Sequence, residues 1–190
     1  MVRDLISESD TPEAIRLSIA CSLVVPSGNR ELMAPSKTIA KSATSFAIPN
    51  SVKKIDKEAF YGCNRLTSIT IPNSITRIED ATFYDTGITS IEIPNSVTYI
   101  GEHAFSQTKL TSVKLPESVA SLGDNVFANN DDLARIELNG KITKIPINAF
   151  YQCEALTTIV WGTNSNVMFE QPQSDVKLNI FTRLVSIIPY

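Results

Sequence analysis

The stretch Ile71-Pro72-Asn73-Ser74-Ile75-Thr76-Arg77-Ile78-Glu79-Asp80-Ala81-Thr82-Phe83-Tyr84-Asp85-Thr86-Gly87-Ile88-Thr89-Ser90-Ile91-Glu92 is one copy of a unit that recurs along the chain. The same order of apolar positions restarts at Ile48, Ile71, Ile93, Leu115 and Leu138, in steps of 23, 22, 22 and 23 residues. Self-similarity at this period marks a solenoid, in which no unit closes a core alone and each buries its apolar edge against the next.

Counting the first apolar residue of each unit as position zero, position four reads Val52, Ile75, Val97, Val119, Ile142 and position seven reads Ile55, Ile78, Ile100, Leu122, Ile145. Position twelve is invariant, with Phe60, Phe83, Phe105, Phe127 and Phe150, and then come Leu66, Ile88, Leu110, Leu133 and Leu156. In Leu66-Thr67-Ser68-Ile69-Thr70-Ile71 the final residues alternate apolar and polar with period two, which predicts a strand with Ile69 and Ile71 inward. Stacked copies of that strand predict one parallel sheet. The segment Val97 to Ile100 and its counterparts are expected to form a second short strand or extended run. An acidic residue ahead of Ala-Phe or Thr-Phe, as in Asp80 to Tyr84, predicts a helical or 3-10 turn on the opposite side. Pro49, Pro72, Pro94 and Pro116 mark where the strand's hydrogen bonding stops, and the fifth unit substitutes Asn139-Gly140, a tight turn.

The ends are less regular. Residues 1–24 read as an N-terminal cap or irregular segment, with a short helix expected from Pro12 to Ile19 behind the capping residues Ser9 and Asp10. Residues 25–160 read as the solenoid, of which 25–47 is a degenerate unit, with Lys37 and Ala43 in place of Phe and Leu or Ile, and 48–160 holds five clear units. Residues 161–190 read as a C-terminal cap: Trp161 to Asn166 is turn-rich, and Val176 to Tyr190 is apolar enough to cover the last unit.

Composition removes several function classes. A net charge of -3 and a length of 190 residues describe one ordinary domain without the electropositive footprint that nucleic acid or an anionic membrane demands. No run of 18 apolar residues encodes a membrane-spanning helix. Asp4, Glu8, Asp10 and Glu13 occupy the region where a secretion signal needs a basic start and an apolar run, and the apolar stretch Leu17 to Val25 around Cys21 does not make a lipoprotein signal. Cys63 and Cys153 share one position four units apart, roughly 19 Å at about 4.8 Å per coil, too far to bridge, so the cysteines are expected to be buried free thiols.

Chemistry-bearing residues are scattered rather than convergent. His103 is the single histidine and has no evident partner beyond neighbouring Glu102 and Ser106; no phosphate loop or His-Glu-x-x-His pattern occurs. Glu92 and Glu137 would lie two coils apart with Lys114 between them, which favours a charge ladder over an acid pair. Asp56, Glu79, Asp80, Glu102 and Asp124 form an acidic edge better suited to starting turns than to holding calcium, and Lys53, Lys54, Arg77 and Lys144 form a sparse basic edge. Tyr61, Tyr84 and Tyr151 share position thirteen, where capping the phenylalanine ladder is the more economical role and anchoring a partner the alternative. No catalytic residue, cofactor or metal site is expected.

The signature Leu-Thr-Ser-Ile-x-Ile-Pro-Asn-Ser-(Val/Ile)-x-x-Ile followed by Ala-Phe or Thr-Phe, seen in Leu66 to Phe83 and, with small departures, in Leu110 to Phe127, closely resembles the BspA-like leucine-rich repeats, and Phe60-Tyr61-Gly62-Cys63-Asn64-Arg65-Leu66 fits the family's turn. The resemblance implies a β-rich α/β fold: a right-handed leucine-rich-repeat solenoid with a parallel concave sheet and short strands, turns or 3-10 segments on the other side. It further implies a non-catalytic protein-binding module, of cell-surface or secreted adhesion type, although no signal peptide or anchor is legible and a cytoplasmic location fits the residues as well. The candidate partner-binding residues are the outward positions of the sheet: Ser68, Thr70, Ser90, Glu92, Ser112, Lys114, Arg135, Glu137 and Thr158. A structural spacer within a larger surface protein is the alternative, and an enzyme a remote one. The partner class is protein, with neither nucleic acid nor direct membrane insertion.

Overall fold

A computed structural model describes residues 31–32, 43–139, 141–161, 168–169 and 186–189. The expected helix at Pro12 to Ile19, Cys21, Lys37, Gly140 and most of the C-terminal cap lie outside the described residues.

Among the described residues thirteen short strands form two ladders, every pair parallel. The longer strands are β2 (Ser45–Ala47), β4 (Ser68–Thr70), β7 (Ser112–Lys114), β9 (Arg135–Glu137), β11 (Thr158–Trp161) and β13 (Ser186–Pro189). They pair as β2-β4 and as β7-β9-β11-β13, placing Ile69 opposite Phe46 and Ile136 opposite Val113 and Ile159. The second ladder has two-residue strands: β1 (Glu31–Leu32), β3 (Lys54–Ile55), β5 (Arg77–Ile78), β6 (Tyr99–Ile100), β8 (Ser121–Leu122), β10 (Lys144–Ile145) and β12 (Met168–Phe169). These pair as β1-β3, β5-β6-β8 and β10-β12. The predicted single sheet is therefore interrupted: Ser90 to Glu92 keep the alternation of exposed and more buried side chains but are not a strand. Both ladders also gain strands outside the five clear units, with β1 and β2 before them and β12 and β13 after.

Between the ladders lies a single hydrophobic interior running the length of the described coils. Its spine is the phenylalanine file. Successive rings from Phe60 to Phe150 lie nearly parallel, with centroids 5.4, 5.3, 5.7 and 6.1 Å apart. Phe83, Phe105 and Phe127 are wholly buried. At the N-terminal end the file does not stop at Phe60: Phe46, from the strand of the preceding unit, leans its ring at 56° against Phe60 at 5.5 Å. A large side chain contributed from another position thus extends the file where the repeat register offers Lys37.

The backbone around each phenylalanine corrects the expected helical turn. Among the described residues there is no helix, so the α component of the predicted class is not observed. Position ten of each coil, Glu58, Ala81, His103, Asn125 and Asn148, has φ between 50° and 59°, and position fourteen, Gly62, Asp85, Gln107, Asn129 and Gln152, has φ between 53° and 70°. A left-handed residue every fourth position prevents any helical repeat from propagating. What results is a run of β-turns in which Tyr61 N–H and Cys63 N–H donate back to Glu58 and Phe60 carbonyls. The intervening amides point along the solenoid instead: Glu58, Phe60 and Gly62 donate to the carbonyls of Asp80, Thr82 and Tyr84 one coil on, and Ala81, Phe83 and Asp85 repeat the pattern onto Glu102, Ala104 and Ser106. Backbone donors that a helix would have used internally thereby tie each coil to its neighbour.

Inside this turn runs a buried polar file at position fifteen, Cys63, Thr86, Thr108, Asn130 and Cys153. Thr86 and Asn130 donate to the carbonyls of Phe83 and Phe127 at 2.9 and 2.7 Å, closing the turn over each ring. Asn130 also reaches back to the Phe105 carbonyl at 2.8 Å, and Thr108 Oγ1 donates to Asn130 Oδ1. The Cys153 thiol donates to the Phe127 carbonyl at 3.0 Å. Cys63 and Cys153 are both buried thiols outside any disulfide, and burial pushes the Cys153 thiol up to about 12.

Two outcomes follow from this interior. Phe105→Ala, which empties one place between rings on both sides, is expected to lower unfolding free energy by about 3 to 5 kcal/mol in denaturant titration; a loss below about 1 kcal/mol contradicts the continuous file. For Cys153, the folded state holds its proton more tightly than the unfolded state, whose thiol ionises near 9. Its contribution is complete below that value and is lost as pH rises toward about 12, so the fall in melting temperature over that interval should be shallower in Cys153→Ala. Identical slopes would contradict it.

Candidate binding face

The outward positions of the longer strands form a face set by the strand alternation. Ser68, Thr70, Ser90, Glu92, Ser112 and Lys114 are exposed, while Arg135, Glu137 and Thr158 are half-buried. Beyond Thr158 the face closes, since Val160, at the outward position of its column, is buried. With coils about 4.8 Å apart, the side chains stand in rows of fixed spacing.

Charge on this face is organised at one end. Arg135 donates through Nε and Nη2 to Glu137 Oε1 at 3.1 and 3.0 Å, and Lys114 Nζ lies 3.4 Å from Glu137 Oε2. Hydrogen bonding from Arg135 is the main reason the Glu137 carboxyl sits below its ordinary range, with desolvation opposing it and Lys114 assisting. The expected ladder of Glu92, Lys114 and Glu137 is thus half present: Lys114 pairs with Glu137, whereas Glu92 has no ion pair among the described residues. Glu92 and Glu137 do not form an acid pair.

A further column belongs to the face and was not among the sequence candidates. Thr44, Thr67, Thr89, Thr111 and Thr157 are all exposed beside the serine column, and only Ala134 breaks the series. The signal was the residue preceding each strand, which is threonine in every unit but one. Thr67 Oγ1 donates to the Thr44 carbonyl at 3.0 Å, so part of this hydroxyl row is directed along the stack.

The remaining candidates occupy other surfaces. Tyr61 and Tyr84 do not cap the phenylalanine file; they stack on each other at 4.8 Å, and His103 meets the Tyr84 ring edge at 6.0 Å. Tyr61 is 49% exposed and Tyr151 36%. Backbone alternation explains this, because position thirteen follows the inward phenylalanine and turns outward. His103 Nε2 lies 3.8 Å from Glu102 Oε1, and its Nδ1 is buried without a hydrogen-bond partner among the described residues. The acidic and basic edges pair in part: Lys54 pairs with Asp56 and Arg77 with Glu79 while also lying 4.1 Å over the Tyr99 ring, and Lys57, outside the basic edge read from the sequence, pairs with Asp80. Asp80 also accepts the Glu102 backbone N–H at 3.1 Å, and its carboxyl is held low chiefly by Lys57. Among the described residues no group of three His, Cys, Asp or Glu side chains is placed to hold a metal ion, and no helix is long and apolar enough to cross a membrane.

Comparison with solved structures places the architecture among bacterial leucine-rich-repeat proteins. The leucine rich repeat protein of T. pallidum matches with a TM-score of 0.60 and 24% identity over 74% of this chain and 69% of its own. A leucine-rich repeat protein from Bacteroides ovatus matches with a TM-score of 0.55 and 23% identity over 71% of this chain and 43% of its own. The pneumococcal vaccine antigen PcpA matches with a TM-score of 0.63 and 19% identity over 83% of this chain and 42% of its own. At these identities the likeness is one of fold, and the chain spans less than half the length of the latter two. Comparison with curated proteins gives no significant match. The model of the BspA type leucine rich repeat region matches in six copies across residues 39–157 and 76–182, and with the phenylalanine file, the two parallel ladders and the 22- to 23-residue step it shows that this chain belongs to the BspA-type leucine-rich-repeat family.

Proposed function

We propose that the chain is a non-catalytic protein-interaction module whose recognition surface is the face of the longer strands. Proteins of this repeat class generally bind other proteins, and this reading assigns the work to Ser68, Thr70, Ser90, Glu92, Ser112, Lys114, Arg135, Glu137 and Thr158, on a sheet lining the concave side of a right-handed coil. The observation that carries it is the persistence of hydroxyl and charged side chains on the strand face, exposed from Ser68 to Lys114 and half-buried from Arg135 to Thr158, over one continuous interior. A preordered polar array loses little entropy on docking. The Lys114–Glu137–Arg135 cluster supplies a charge pattern that orients a partner more than it adds affinity.

In this reading residues 1–24 and 161–190 cap a solenoid of residues 25–160, and the partner is a protein met at the cell surface or outside the cell in an adhesion-type contact. The partial coverage of PcpA and the Bacteroides ovatus protein favours a second reading, in which the chain is a spacer within a longer solenoid.

Combined Ser90→Ala, Lys114→Ala and Arg135→Ala substitution separates the two. Exposed ion pairs contribute about 1 kcal/mol or less, so the variant should fold as the parent does. Pull-down from surface-protein extracts is expected to lose partners that the unsubstituted chain retains; retention of all of them by a folded triple variant contradicts the assignment and favours the spacer.

A further inference from the structure

The two step lengths of the repeat have a structural counterpart on the strand face. Strands separated by 23 residues are paired: Ser45 with Ser68, Ser112 with Arg135, and Arg135 with Thr158. The two steps of 22 residues, from Ser68 to Ser90 and from Ser90 to Ser112, are the two that are not. The missing residue lies between the phenylalanine and the strand: six positions separate Phe60 from Leu66, Phe127 from Leu133 and Phe150 from Leu156, but five separate Phe83 from Ile88 and Phe105 from Leu110.

The longer links close an extra turn, in which Leu66, Leu133 and Leu156 N–H donate to the Cys63, Asn130 and Cys153 carbonyls at 2.9, 3.1 and 3.1 Å. No equivalent bond forms at Ile88 or Leu110 among the described residues. In the first short link Gly87 lies so close to the preceding coil that a Cβ there would stand 2.4 Å from the Asn64 carbonyl oxygen, a contact only glycine avoids. Lys109 N–H still donates to the Ile88 carbonyl at 3.1 Å, but the bonds next to the gap are long, 3.4 Å from Thr89 N to Thr67 O and 3.3 Å from Thr111 N to Thr89 O, and among the described residues Ser90, Ile91 and Glu92 make no backbone hydrogen bond to either neighbour. Ile91 is only partly buried, whereas Ile69, Val113, Ile136 and Ile159 in the same row are 6, 2, 0 and 0% exposed.

Elsewhere the same coils are tightly joined. Across these two steps β5, β6 and β8 pair without interruption, and the rings of Phe83 and Phe105 stay 5.3 Å apart. The break in pairing is therefore confined to one side of the coils, with an intact ladder and ring file behind it, which is the arrangement of a hinge.

We infer that the paired 22-residue steps build a hinge into the strand face, centred on Ser90 to Glu92, about which the blocks bearing β2-β4 and β7-β9-β11 flex to fit a bound partner. The hinge stands whether or not the face is the recognition surface; its role in adjusting to a partner rests on that proposal.

Hydrogen exchange read by mass spectrometry on the unsubstituted chain tests it. Amides of residues 90–92 are expected to exchange at least about 100-fold faster than those of residues 135–137, which are paired on both sides. Comparable protection of the two segments overturns the hinge. Inserting one asparagine after Thr86 and another after Thr108, to restore 23-residue steps, should bring residues 90–92 to within about 10-fold of residues 135–137. Unchanged fast exchange in that variant, with the far-ultraviolet spectrum of the parent, overturns the link to step length. Should the insertions prevent folding, deletion of Asp131 provides the converse: it is expected to deprotect residues 135–137 by a similar factor, and unaltered protection there overturns the link.

Discussion

Each coil is fastened to the next by backbone amides that its own turn leaves free. Left-handed residues at positions ten and fourteen set up an alternation in which one amide closes a local turn and the following one reaches across to the neighbouring coil. That reach fixes the spacing at which the phenylalanine rings meet, and the rings in turn exclude water from the turn carbonyls. Where such a carbonyl faces the interior, a side chain from position fifteen supplies the donor, as Thr86, Asn130 and Cys153 do. Buried polar groups without partners cost on the order of 1–3 kcal/mol each, so this small file of threonine, asparagine and cysteine is what makes an apolar spine compatible with so many inward carbonyls.

Most of the architecture was legible because it depends on side-chain identity at fixed spacing. An invariant phenylalanine, two apolar positions ahead of it and an alternating strand behind it determine which groups face inward, and the buried set follows that pattern coil by coil. The turns were not legible, because left-handed backbone here carries no common residue: Glu58, Ala81, His103, Asn125 and Asn148 share a conformation but no chemistry. An acidic residue before Ala-Phe reads as the start of a helix when only local preference is considered, and the coil-to-coil hydrogen bonds override that preference. Phe46 escaped notice for a related reason, as it reaches the ring file from a strand position that holds isoleucine or valine elsewhere.

The face was legible in its polarity and incompletely in its members. Period-two alternation identified the serine and charged columns, while the threonine column lies one residue ahead of the strands and belongs to no alternation. Pairing within the face depends on three-dimensional reach, which explains why Arg135 folds back onto Glu137 in its own strand while Lys114 spans one coil and leaves Glu92 without it. A one-residue difference in repeat length, visible in the spacing from the outset, acquires meaning once the strand register is known.

Coupling between phenylalanines tests the continuous spine most directly, through double-mutant cycles in denaturant unfolding. If the rings form one file of nearest-neighbour contacts, Phe83→Leu and Phe105→Leu should couple by about 1 kcal/mol, while Phe60→Leu and Phe150→Leu, at opposite ends, should be additive within about 0.5 kcal/mol. Additivity of the adjacent pair, or equal coupling of the distant one, would contradict it.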